Sequence, residues 1–85
     1  MNLSELLIRL RAAGISDAVY SLDPENPPYD GLLLRKANDK WLVLYSDRGT
    51  MRELARLDSE EAACEYFYQR LMNDGAARPR LHRPN

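Results

Sequence analysis

Leu3, Leu6, Leu7 and Leu10 fall at i, i+3, i+4 and i+7, a spacing that places four leucines on one face of a helix. Asn2 stands where an N-cap belongs, Glu5 follows three positions on as its reciprocal partner, and Gly14 supplies a left-handed stop. A second stripe runs through Cys64, Phe67, Tyr68 and Leu71 at the same spacing. Asp58 or Ser59 can cap that helix, Glu60 and Glu61 in its first turn suit the helix dipole, and Gly75 ends it. Between the two stripes the pattern changes to short apolar runs. Residues 18–22, 32–37, 40–46 and 50–57 read as strands.

The connections between these runs differ in kind. Asn38-Asp39 suits a two-residue hairpin, since both residues tolerate positive φ, and Asp47-Arg48-Gly49 suits another with Gly49 left-handed. Residues 23–31 hold three prolines, each fixing its own φ and restricting the residue before it, so this loop is stiff and irregular. Short connections between successive strands predict an α+β fold of order α-β-β-β-β-α, a four-stranded antiparallel meander with both helices on one face. In residues 40–46, Trp41, Val43 and Tyr45 occupy one face of the strand and Leu42 and Leu44 the other. The second apolar face must either be shielded by its own strand ends and aromatic stems or serve as a contact surface.

Composition narrows the function. At 85 residues the chain makes one domain, taken as residues 1–75, followed by a basic tail at 76–85 that is too polar to pack and reads as disordered. The net charge of −1 divides unevenly, because the tail carries Arg78, Arg80 and Arg83 and no acid. Residues 1–75 hold nine basic against thirteen acidic side chains, a balance of −4 that disfavours nucleic acid as a partner. Neither a membrane span nor a signal-peptide stretch is visible, which predicts a cytoplasmic protein.

Catalytic chemistry finds little to use. The single histidine, His82, lies in the tail, and the single cysteine, Cys64, belongs to an apolar stripe and excludes an internal disulfide. The serines have no histidine to activate them, and the four glycines form no phosphate-binding loop. The expectation is therefore a binding protein, not an enzyme, with no cofactor and no metal. Glu60, Glu61 and Glu65 are explained by a helix start and a solvated face. Asp23, Glu25, Tyr29 and Asp30 share the stiff loop, and Asp47 sits on a second loop that can reach the same surface. With Tyr29 or Tyr45 as the aromatic anchor, these six are the candidate partner-binding residues, set against the plainer reading of a solvated loop.

Four segments carry a resemblance: Tyr20-Ser21-Leu22, the Trp41 strand leading to Tyr45-Ser46-Asp47-Arg48-Gly49, Leu57-Asp58-Ser59-Glu60-Glu61-Ala62, and Cys64-Glu65-Tyr66-Phe67. Over about residues 6–72 the chain resembles the small bacterial immunity proteins of polymorphic toxin and contact-dependent growth inhibition systems. That resemblance implies a cytoplasmic protein that binds and neutralises a cognate toxin domain, with a nuclease favoured because an acidic body complements a basic, phosphate-binding cleft. The alternatives are a regulatory or adaptor domain with an unrelated protein partner and, behind it, a small nucleic-acid binder using sheet aromatics and the arginine tail.

Overall fold

The computed structural model describes residues 1–73 and contains α1 (Leu3–Ala12), β1 (Tyr20–Ser21), β2 (Asp30–Ala37), β3 (Lys40–Asp47), β4 (Thr50–Leu57) and α2 (Glu60–Asn73). The expected order α-β-β-β-β-α is what forms, with the strands side by side as β1-β2-β3-β4. The proposed helix stop at Gly75 and the tail at 76–85 lie outside the described residues.

One strand departs from the meander. β2–β3 and β3–β4 are antiparallel, but β1 runs parallel to β2, with Tyr20 beside Leu32 and Ser21 beside Leu33. The antiparallel expectation rested on tight turns, and the proline-bearing segment between β1 and β2 is not one. A parallel return ordinarily needs a long crossover. Here β1 is only two residues long, so the loop doubles back over roughly 7 Å at about 3.3 Å per residue. Gly31 makes the close approach possible, because a Cβ there would stand 2.1 Å from the Val19 carbonyl oxygen. That same oxygen accepts a hydrogen bond from the Leu32 amide at 3.0 Å.

Both hairpins have two-residue loops, closed by the Ala37–Lys40 and Asp47–Thr50 pairs. Asn38 takes φ 59° in the first. In the second Arg48 at φ 52° and Gly49 at φ 93° give the type I′ turn that matches strand twist. Asparagine tolerates this region, whereas for arginine it costs about 1–2 kcal/mol. A bulge between Val43 and Leu44 in the β3–β4 pairing leaves Leu54 as the extra residue and keeps Ala55 and Leu57 on the same face as Val43 and Trp41.

That face carries the core. Leu32, Leu34 and Val43 join Leu6 and Leu10 of α1 and Ala63, Cys64, Phe67 and Leu71 of α2 in one buried cluster, so both helices cover the same side of the sheet, as expected. Of the predicted α1 stripe, Leu3 and Leu7 are partly buried, as Tyr68 is in α2. A Schellman motif ends α1: Gly14 at φ 79° donates to the Arg11 carbonyl and Ile15 to the Leu10 carbonyl, and Ile15 folds into the core.

Capping is shared between helices. Asn2 accepts from the Glu5 amide, as the sequence suggested, but Glu5 turns to Arg9 instead of closing the box. Glu60 satisfies a different free amide of the first turn, its carboxylate accepting from Leu3 at 2.9 Å. Ser59 caps α2 through its hydroxyl to the Ala62 amide, while Asp58 is taken by Lys40.

The opposite face of the sheet is shallow. Leu33 is buried there, Leu42 and Leu44 are half-buried, and Arg35 and Arg56 flank Leu42 in register. Arginine stems are suited to lie along such apolar surface.

Candidate functional site

The antiparallel register of β2 and β3 places Asp30 directly opposite Asp47, at the end of the sheet where the second hairpin turns. Residues two apart on a strand share a face, so Tyr45 stands on the same side as Asp47, with Leu32 across from it on β2 and Arg52 across from it on β4. The Tyr45 hydroxyl donates to Asp30 Oδ1, and the Arg52 guanidinium lies over the Tyr45 ring at 5.8 Å. The two loops suspected of reaching one surface do meet. The Arg48 amide donates to the Tyr29 carbonyl at 2.8 Å, pinning the hairpin turn to the end of the proline loop.

Asp30, Tyr45 and Asp47 therefore share one face at this end of the sheet, and Tyr29 precedes Asp30 in the loop that the Arg48 amide holds there. Their availability differs. Tyr29 is 74% exposed. Tyr45 is half-buried against the core, and its hydroxyl is engaged by Asp30. Asp47 accepts from Arg48 Nε at 3.3 Å, with both side chains largely in solvent.

Asp23 and Glu25 stand apart from this group in role. Both Asp23 oxygens are used within the loop, by the Glu25 amide at 3.0 Å and the Asn26 side chain at 2.8 Å. The bond from Asn26, then that from the Glu25 amide, holds the Asp23 carboxyl below its ordinary pKa. The Ser21 hydroxyl braces the same turn by accepting from the Asp23 amide and donating to its carbonyl. Asp23 thus organises the loop that presents Tyr29, and Glu25 is exposed beside it.

Two arginines escaped the sequence reading. Arg48 was visible as a bulky residue in a two-residue turn, and Arg52 follows from that turn's register, which sets it across from Tyr45. With them the surface carries both signs of charge.

Elsewhere the ionisable groups serve packing. Cys64 is fully buried, and loss of solvation followed by the nearby Glu60 charge pushes its thiol upward. Tyr20 packs edge-on against Phe67 with its hydroxyl buried and unpartnered. Burial raises its pKa, opposed by Arg11, which is near enough to favour the phenolate without satisfying the hydroxyl. Among the described residues, no three His, Cys, Asp or Glu side chains are grouped to hold a metal ion, and no helix is long and apolar enough to cross a membrane.

No family model, curated protein or solved structure matches the chain.

Proposed function

We propose that this chain is an immunity protein that binds a bacterial toxin domain in the cytoplasm and blocks it without chemistry or a cofactor of its own. The observation that carries this reading is the pairing of Asp30 with Asp47 beside the exposed Tyr29, on a sheet end where the Arg48–Tyr29 hydrogen bond fastens two loops together. Fastened loops lose little ordering entropy on binding, so more of the contact energy appears as affinity. The acidic balance of residues 1–75 adds steering toward a basic surface, of the kind a nuclease presents to phosphates. The resemblance to immunity proteins supports the same reading.

The test uses the gene immediately upstream. If it encodes a large secreted protein, that protein's C-terminal domain is the probe. The wild-type chain is expected to bind the purified domain and to rescue cells expressing it. The double reversal Asp30→Lys with Asp47→Lys is expected to slow association and flatten its dependence on salt, with folding checked by circular dichroism. A wild-type chain that neither binds nor protects would overturn the proposal and leave an adaptor for an unrelated partner as the better reading.

A further inference from the structure

Helix α1 buries one side and leaves the other uncovered. Leu6 and Leu10 are fully buried, while Ser4, Glu5, Ile8, Arg9, Arg11 and Ala12 are exposed. Ile8 is two positions from both buried leucines, about 200° around the helix, so it points away from the core. It is 66% exposed. One exposed aliphatic side chain is ordinary on its own; the residues around Ile8 are what give it meaning. Ser4 and Ala12, one turn before and one turn after, are small. Glu5 and Arg9 form an exposed ion pair at 3.3 Å along one flank of Ile8, and Arg11 stands on the other flank.

This face is complementary to its own image. A twofold axis that sets two α1 helices antiparallel brings the same flank of each together, with its charges in opposite order. Centred on Ile8, that symmetry places each Ile8 against the other and between the small Ser4 and Ala12 of the facing helix. Glu5 of one copy then lies beside Arg9 of the other, twice over. We infer that α1 pairs with the α1 of a second copy of this chain, antiparallel about Ile8, with the two Glu5–Arg9 pairs joined in one four-charge cluster. Helices pack at about 8–10 Å between axes, and small neighbours on either side of the isoleucine permit that approach. One helix from each copy covers less than the roughly 800 Å² per partner of a standard interface, so the dimer is weak and concentration-dependent. None of the six candidate partner-binding residues lies on α1, and the inference stands independently of the proposed function.

The experiment uses the full chain with single cysteines placed on α1. Cys64 is its one native cysteine and is fully buried, so an engineered surface thiol is the reactive one. Ile8→Cys, on the axis, is expected to give a disulfide-linked dimer under mild oxidation, read on a non-reducing gel. Ser4→Cys and Ala12→Cys each stand about 12 Å along the helix from their own image at 1.5 Å per residue. Each alone is expected to link at least tenfold more slowly than Ile8→Cys, and the two mixed are expected to link to each other. Equal rates at all three positions would mean random collision and overturn the inference. Sedimentation equilibrium then tests the native side chains, with folding checked by circular dichroism. Glu5→Arg is expected to weaken the dimer at least tenfold, and Glu5→Arg combined with Arg9→Glu to restore it. A wild-type chain still monomeric at about 1 mM, a concentration that reports association as weak as about −4 kcal/mol, overturns the pairing; a double variant no better than Glu5→Arg overturns the charge register.

Discussion

At Gly31 a single added methyl group decides whether β1 can stay in the sheet. The Val19 carbonyl sits where that methyl would be, and neither backbone can retreat without losing the Val19–Leu32 hydrogen bond. Overpacking typically costs about 1–3 kcal/mol, and a backbone clash belongs at the upper end. Gly31→Ala is therefore expected to lower stability by about 3 kcal/mol in urea unfolding, while Gly14→Ala, which meets nothing within 4 Å, fails only through its positive φ. Nothing around Gly31 in the sequence announces the crossing. A glycine after Tyr29-Asp30 reads as a loop end, and its role exists only once β1 lies parallel to β2. Tyr20 offers the converse case. Its buried hydroxyl forms no hydrogen bond, and stranding such a group costs about 1–3 kcal/mol. Tyr20→Phe is expected to leave stability unchanged or raise it by about 1 kcal/mol, as read from the urea midpoint.

The helices and the two hairpins were legible because each has a local cause. Leucine spacing, Asn2, Gly14 and Ser59 lie within a few residues of the structure they specify, and so do Asn38 and Gly49. β1 was misread in direction because a two-residue strand has no pattern of its own and its partner is chosen by packing. Glu60 was read as a favourable charge in the first turn of α2. Its bond to Leu3 spans 57 positions and has no local signature. Removing it frees an amide at the start of α1, where lost caps typically cost about 1 kcal/mol. Glu60→Ala is expected to destabilise the domain by about that much and Glu60→Gln, which can still accept the bond, by less; chemical denaturation of both variants separates the hydrogen bond from the charge.

Over the whole molecule, the candidate surface was legible as a neighbourhood but not as an arrangement. Sequence distance joined Tyr29 to Asp30 and suggested Asp47, yet strand register, invisible before pairing, brought Tyr45 and Arg52 to them and left Asp23 bracing its own loop. The buried acids set a global property as well. Burial raises Cys64 from its ordinary 9.0 and Tyr20 from its ordinary 10.0, so in each case the unfolded chain releases its proton at a lower pH than the folded one. The stability these groups contribute is complete below the unfolded values and is lost as pH climbs through the folded ones. Urea midpoints are thus expected to fall above about pH 9, and the Tyr20→Phe variant is expected to decline less steeply above pH 10, the ordinary value for that phenol. The Glu60–Leu3 bond also orders events in time. At about 5–20 residues per second, a ribosome needs roughly 3–11 s to pass from residue 3 to residue 60. Throughout that interval the first helix lacks its carboxylate cap, its cover of α2 and its place on a finished sheet. The nascent chain therefore holds an exposed leucine face until nearly the whole domain has been made.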